Sequence, residues 1–146
     1  MPKDLIAQST IIVQAPKARV WKALLDPDDI RAYMFGTEVT TDWKVGSPIL
    51  WKGVWQGKPY EDRGQVMTIE TETLVSYSHF SAAGGRPDVP ENHHLVTLRL
   101  EEAPGGTQVT LTQDNNADEA ARQHSEKNWN AMLESLKAHL EASPEA

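Results

Sequence analysis

Much of the chain is divided into short segments rich in β-branched, apolar and aromatic residues. The run Ser9–Val13 is rich in β-branched residues and has high strand propensity. Turn residues separate the later segments, for example Val45-Gly46-Ser47 and Ala103-Pro104-Gly105-Gly106. Short strands at regular spacing with turn signals between them predict a meander of antiparallel strands. The predicted strands are Leu5–Val13, Thr37–Trp43, Pro48–Trp55, Tyr60–Thr71, Leu74–Ser81, His93–Glu101 and Thr107–Gln113.

Two short helices are predicted between the first and second strands. Pro16 stands where a helix can begin, because the missing N–H of proline would be unsatisfied there in any case. The apolar residues of the following segment fall on one helical face, and Asp26-Pro27 ends it, because the residue before a proline avoids the α region. A second short helix is predicted from Asp28 to about Tyr33.

The last segment gives the clearest helical pattern. Its apolar residues recur at helical spacing and are Trp129, Met132, Leu133, Leu136 and Leu140. Asn116 is predicted to cap this helix, with Glu119 in the capping-box position, and Pro144 lies just beyond its end.

The order of elements predicts an α+β fold of the helix-grip type. A sheet this long cannot leave its concave face open to water, and the last helix is the element long enough to cover it. We therefore expect a curved antiparallel sheet of about six or seven strands wrapped on a long C-terminal helix. The 146 residues are expected to form one domain, 1–146.

Composition and charge narrow the classes of function. The chain has no cysteine, which excludes thiol catalysis, thiolate metal sites and disulfides. The formal net charge is −7 and the 14 Lys and Arg are scattered, so we expect no binding to nucleic acid. There is no apolar run of membrane-spanning length and no signal-peptide pattern at the N-terminus. We expect a cytoplasmic protein with no cofactor.

Several local motifs, in the right order, are similar to one known family. The segment Ala15–Pro27 contains Ala-Pro, then Val-Trp, Ala-Leu and Asp-Pro, and Gly46 precedes an alternating strand. Gly64-Gln65-Val66 with Leu74–Tyr77, the strand Gly106–Thr112, and the helix from Asn128 onward complete the set. The chain thereby resembles the START-like (SRPBCC) superfamily, and within it the domain family named after the activator of the ninety-kilodalton heat-shock chaperone's ATPase.

That resemblance implies a helix-grip fold, in which relatives hold ligands between the sheet and the long helix. Chaperone activation is not expected here, because the named member of the family acts with an additional N-terminal domain. The resemblance therefore carries over a fold and a place for a ligand, and no specific activity.

The histidines are the sharpest candidates for chemistry. The segment Asp88–His94 holds two adjacent imidazoles and two carboxylates, and His79 could join them from the preceding strand. Neighbouring residues on a strand point to opposite faces; His94 shares the parity of the apolar residues Val96, Leu98 and Leu100, and His93 does not. Because no common metal-ligand spacing occurs, no metal site is expected.

Aromatic residues form the second candidate group. Trp51, and Trp55 less clearly, share the parity of Ile49, while Tyr77 shares that of Val75 and His79. Trp129 and Met132 face the sheet from the helix. Two interpretations stay open: these side chains fill a solid core, or they line an apolar cavity that has His94 at its polar end.

Three functions follow from these patterns. The leading hypothesis is a domain that binds a small, largely apolar molecule through Trp51, Tyr77, His79, His94, Trp129 and Met132. The first alternative is a cyclase- or hydrolase-type enzyme, with His94 or His79 as the base and Glu91 or Asp88 orienting it. The second is a module that binds a protein partner or a second copy. His124, Ser125 and the acidic run Glu70–Glu72 are interpreted as solvated surface.

Overall fold

The computed structural model describes residues 5–55, 57–81, 87, 89 and 92–142. In these ranges the chain forms one strand, two short helices, six strands and a long helix, in the predicted order. The helices are α1 (Lys17–Leu25), α2 (Pro27–Tyr33) and α3 (Glu119–Ala142). The strands are β1 (Ala7–Val13), β2 (Glu38–Thr40), β3 (Pro48–Trp55), β4 (Lys58–Glu70), β5 (Leu74–Ser81), β6 (His94–Ala103) and β7 (Gly106–Gln113).

The strands form one curved, antiparallel, unclosed sheet in the order β1-β7-β6-β5-β4-β3-β2. Burial alternates strictly along β7, as expected of a strand with one covered face. The buried face of β6 carries Val96, Leu98 and Leu100, while Leu95 is exposed. The predicted helix-grip architecture is therefore confirmed, and so is the parity assigned to β6.

Helix α3 covers the inner face of this sheet. Its buried residues are Met132, Leu133, Leu136 and Leu140, and Trp129 is only partly buried. Burying an aliphatic side chain of this size stabilises a fold by about 1.5–3 kcal/mol. The apolar stripe that marked the helix in the sequence is thus the surface that holds it on the sheet.

Polar side chains of α3 also form hydrogen bonds with backbone groups along the outer edge of β1, the first strand of the sheet. The backbone N–H groups of Gln8 and Gln14 donate to the carboxylates of Glu126 and Glu141, at 3.1 and 2.7 Å. The ammonium group of Lys137 donates to the carbonyl of Ile12 at 2.8 Å. An uncovered strand edge is a template for unwanted pairing, and these contacts occupy it.

A buried carboxylate ties the three helices together. Asp29 of α2 accepts two hydrogen bonds from the guanidinium of Arg19 of α1, both at 3.0 Å. It also contacts Nε2 of His139 of α3 at 2.8 Å. The hydrogen bonds from Arg19 hold the pKa of Asp29 well below its usual range, against the opposing effect of burial.

Several element boundaries shift by one or two residues from the sequence prediction, and two differences have a local structural cause. The strand expected at Thr37–Trp43 ends at Thr40, because Trp43 has a left-handed φ of 58° and its indole N–H donates to the carbonyl of Leu25. The prediction that Asn116 caps α3 is wrong. The carboxylate of Asp118 caps α3 by accepting from the N–H of Ala121 at 2.8 Å, while Asn116 is buried elsewhere.

No helix in the described part of the chain combines the length and apolar character needed to cross a bilayer.

Candidate functional site

A cleft of about 300 Å³ opens where β5, β6 and the first turns of α3 meet; we call it the inner cleft. Three of the five histidines of the chain line it, namely His79, His94 and His124. Its other polar walls come from Gln113, Asn115, Asn116 and Ser125, and its apolar walls from Phe80, Ala117 and Ala121. The cleft therefore combines apolar surface with converging polar side chains.

The polar floor of the cleft is an ordered network around Gln113. The indole N–H of Trp129 donates to Oε1 of Gln113, which directs the amide nitrogen towards Asn116 and Ser125, each at 3.5 Å. The hydroxyl of Ser125 donates to Oδ1 of Asn116 at 2.8 Å. Asn116 in turn donates to the carbonyl of Leu5 at 2.9 Å. These bonds hold the side chains in place before any ligand arrives.

This network corrects the interpretation of Ser125 as solvated surface. The residue is half-buried and bonded to Asn116, whereas His124 beside it is exposed as expected. The difference arises because adjacent helical residues point about 100° apart, and Ser125 is the one that faces the sheet. Glu70 at the start of the acidic run is also exposed, in agreement with the expectation.

His79 and His94 lie directly opposite each other in the register of β5 and β6. Their ring centroids are 6.5 Å apart. Nδ1 of His94 lies 2.8 Å from the carbonyl oxygen of Asp114 and 3.2 Å from the amide nitrogen of Gln113. These contacts orient the ring of His94 on the inner face.

His79 is held by a carboxylate that was not among the predicted site residues. Its Nε2 lies 3.0 Å from Oδ2 of Asp62 on β4, and both side chains are mostly buried, with 23% and 18% exposed. Since a carboxylate accepts, Nε2 is the protonated nitrogen and Nδ1 the basic one in a neutral ring. The ring of Trp51 lies 5.2 Å from that of His79.

A small aromatic cavity lies behind His79. Its volume is about 40 Å³, and Trp51, Tyr77, His79 and Trp129 are among its walls, together with Asp62 and Tyr60. Burial raises the pKa of the Tyr77 phenol, so this group is neutral. Four of the six predicted ligand contacts thus lie around one cavity, and His79 belongs to both this cavity and the inner cleft.

The space under the middle of α3 is nearly filled. Met132 is buried and lines a second cavity of only about 20 Å³ with Trp51 and Tyr77. Both cavities are far smaller than the few hundred Å³ of a typical ligand site. The larger open space on this side of the sheet lies nearer the start of α3.

Some of the predicted site residues lie outside the part of the chain that the structure describes. Asp88 and Glu91, expected as orienting carboxylates, and the side chain of Trp55 lie outside the described residues. Within the described part of the chain, no group of three or more His, Asp or Glu side chains is placed to hold a metal ion.

Two larger hollows lie on the opposite side of the strands, with volumes of about 530 and 590 Å³; we call them the outer grooves. They share Pro48, Arg63 and Gly64. Arg63 alternates with Asp62 along β4, and successive side chains of a strand point to opposite faces. The outer grooves are therefore separate from the inner cleft and its histidine pair.

The comparisons with known proteins agree on the fold. A family model described as "Activator of Hsp90 ATPase homolog 1-like protein" matches residues 14–141. A protein of Cytophaga hutchinsonii with a known solution structure is 50% identical over 97% of both chains, with a TM-score of 0.82. A comparison with curated proteins gave no match.

Two more distant structures share the fold alone. The Aha1 dimer from Colwellia psychrerythraea is 21% identical over 93% of this chain and 96% of that one, with a TM-score of 0.72. A putative protein in the dynemicin biosynthetic locus is 16% identical over 93% of this chain and 47% of that one, with a TM-score of 0.78. With the family model spanning most of the sequence, the chain belongs to the activator of Hsp90 ATPase homolog 1-like family.

Proposed function

We propose that this domain binds a small organic molecule in the inner cleft. The observation that carries the proposal is the cleft itself, about 300 Å³ in volume and lined by imidazoles, amides and apolar side chains. Ligand sites in proteins are concave, of a few hundred Å³ or more, and mostly apolar with a few converging polar groups. The inner cleft has this composition.

The order of its polar walls also supports binding. Gln113 and Asn116 are 8% and 2% exposed and are already hydrogen-bonded to Trp129 and Ser125. Side chains that are fixed beforehand lose little freedom when a ligand arrives, which favours affinity. In this proposal the amides and histidines meet the polar part of the ligand.

The six residues predicted to contact the ligand have different roles in this proposal. His79 and His94 line the cleft directly. Trp51, Tyr77 and Trp129 form the aromatic cavity behind His79, where they support its ring. Met132 packs in the core, and a ligand does not reach it in this proposal.

A pair of adjacent alanines on α3 provides the test. Ala121 lines the inner cleft, whereas Ala120 is exposed. We expect the neutral dye N-phenylnaphthylamine to bind the wild type saturably with enhanced emission. Ala121→Phe fills the cleft and should weaken binding about tenfold, which is about 1.4 kcal/mol, while Ala120→Phe leaves it unchanged. A wild type without saturable binding, or equal weakening in both variants, contradicts the proposal.

The contact between His79 and Asp62 favours a second candidate, an enzyme of the cyclase or hydrolase type. A base held in one tautomer by a carboxylate is a recurring catalytic arrangement, and Asp62 would take the role expected of Asp88 or Glu91. One protein of similar fold is encoded in a biosynthetic locus. Turnover of an ester or an enolisable ketone that Asp62→Asn abolishes, with dye binding unchanged, would favour this candidate.

Binding to a protein partner or a second copy remains a prediction. One protein of similar fold is described as a dimer, and Val54 and Leu95 are apolar and exposed. Size-exclusion chromatography with light scattering would show a dimer directly.

A further inference from the structure

Two buried phenol hydroxyls have no hydrogen-bond partner in the described part of the chain. Tyr33 and Tyr77 are 3% and 8% exposed, and neither hydroxyl contacts a donor or acceptor of the described residues. Every fully enclosed side-chain oxygen or nitrogen of those residues does have a partner, so both hydroxyls touch open space. Tyr77 lines the aromatic cavity and the second cavity beside Met132, whereas Tyr33 lines the second cavity alone.

A buried hydroxyl of this kind needs a partner from outside the protein. Burial removes its hydrogen bonds with water, and without a replacement this loss is unfavourable. Phenylalanine would fill the same space without that cost. The hydroxyl of Tyr77 is therefore a candidate contact for a ligand.

The position of Tyr77 on β5 connects it with the inner cleft. Tyr77 lies two residues before His79, on the same face of the strand. His79 lines both the aromatic cavity and the inner cleft. Positions two residues apart on a strand are separated by about 7 Å, so a ligand that extends past His79 by about that length reaches Tyr77.

The groups around the aromatic cavity favour an uncharged ligand atom beside Tyr77. The carboxylate of Asp62 lines the cavity and lies 3.0 Å from Nε2 of His79. It repels a ligand anion, and its contact with His79 leaves it less available to a cation. The phenol of Tyr77 is neutral, because burial raises its pKa. Such a phenol donates one hydrogen, and a ketone oxygen accepts it without adding a donor that would need a partner of its own.

We propose that the ligand of the inner cleft is an uncharged molecule with an apolar body and a carbonyl oxygen, which accepts a hydrogen bond from the hydroxyl of Tyr77. This inference rests on the proposed function. The apolar body lies in the inner cleft, and the carbonyl end extends past His79 into the aromatic cavity. That cavity is small, about 40 Å³, and suits a short end such as an acetyl group. Tyr77 determines specificity, because a ligand without the oxygen leaves its hydroxyl unpaired.

A ketone and a hydrocarbon of the same shape test this inference. In 4-phenyl-2-butanone the carbonyl carbon carries an oxygen, and in 2-methyl-4-phenyl-1-butene a CH₂ group stands in its place. Each displaces N-phenylnaphthylamine from the wild type and from Tyr77→Phe in parallel titrations. We expect Tyr77→Phe to weaken binding of the ketone about five- to tenfold, the effect of one neutral hydrogen bond. Binding of the hydrocarbon and of the dye should not change.

Tyr33→Phe is the matched control. It also removes a buried phenol hydroxyl, but the second cavity, which Tyr33 lines, shares no described lining residue with the inner cleft. We expect Tyr33→Phe to leave the affinity for both probes unchanged. Because neither hydroxyl has a partner among the described residues, we expect neither variant to lower the Tm, and thermal unfolding verifies that both variants fold.

The infrared C=O stretching band of the bound ketone gives an independent measurement, because a hydrogen bond to the oxygen lowers its frequency. We expect a lower frequency in the wild type than in Tyr77→Phe. A ketone that does not displace the dye, equal weakening of ketone and hydrocarbon by Tyr77→Phe, or ketone binding that Tyr77→Phe leaves unchanged or Tyr33→Phe weakens equally overturns this inference alone. Failure of the dye to bind the wild type overturns the proposed function and this inference together.

Discussion

Gly64 lies on the inner face of β4, where the backbone of β5 and the ring of Trp51 come close. A Cβ added there would stand 1.8 Å from the carbonyl oxygen of Ser78 and 3.3 Å from Cζ3 of Trp51. The first distance is far below contact distance, and a backbone oxygen cannot move aside alone. The two strands approach this closely because residue 64 has no side chain.

We therefore expect Gly64→Ala to destabilise the fold by about 2 kcal/mol, in the range of overpacked substitutions. Urea unfolding followed by tryptophan emission measures the loss. Lys52→Ala, at an exposed position of β3, is the control and should change stability by less than about 0.5 kcal/mol. An equal effect of the two changes would show that β4 and β5 yield at this point.

Residue parity located some site residues from sequence and missed others. The apolar alternation Val96, Leu98, Leu100 placed His94 on the inner face. The same reasoning could have found Gln113, which continues the alternation of Val109 and Leu111 along β7. Asp62 gave no such signal, because its neighbours in the sequence are charged. Its place beside His79 follows from the pairing of β4 with β5, in which Asp62 lies opposite Ser81, two residues along the strand from His79.

Among the elements, the attachment of α3 to α1 and α2 depends on Asp29. This carboxylate accepts hydrogen bonds from Arg19 and His139. Removing its charge leaves the charge of its partners without a counter-charge in a largely buried place. We expect Asp29→Asn to reduce the free energy of unfolding by about 2 kcal/mol near neutral pH. Asp28→Asn is the matched control, since Asp28 pairs with Arg31 on the surface and should contribute less than about 1 kcal/mol.

The same cluster predicts a pH dependence of definite sign. The pKa of Asp29 is lower in the folded protein than in the unfolded chain, where an aspartate has a pKa of about 3.9. Its stabilising contribution is therefore complete above that value and is lost as the pH falls through the acid range. The stability difference between wild type and Asp29→Asn should shrink below about pH 4; a difference that stays constant there would contradict the assignment.

Element order was predictable because each helix and strand carries a strong local pattern, as the stripe on α3 illustrates. The start of α3 was not, because Asn116 and Asp118 are both good caps by residue type. Tertiary contacts decided between them. The amide of Asn116 donates to the carbonyls of Leu5 and Gln113, and Asp118 caps the helix instead.

For the whole molecule, the family fold was predictable, and the position of its open space was not. Whether a helix rests on a solid or hollow core depends on how side-chain volumes fill the curvature of the sheet. Here Met132, Leu133 and Leu136 fill the middle, so the inner cleft is displaced towards the start of α3. The outer grooves are larger, and the central claim is that the ligand site is nevertheless the inner cleft.

The most direct test of that claim is a ¹H–¹⁵N correlation spectrum of the labelled protein titrated with N-phenylnaphthylamine. We expect the amide shifts that change most, and saturate together, to belong to residues of the inner cleft such as His79, His94 and Ser125. Amides beside the outer grooves, such as those of Arg63 and Met67, should stay in place. Saturating shifts centred on Arg63 and Met67, with those of the inner cleft unchanged, would contradict it.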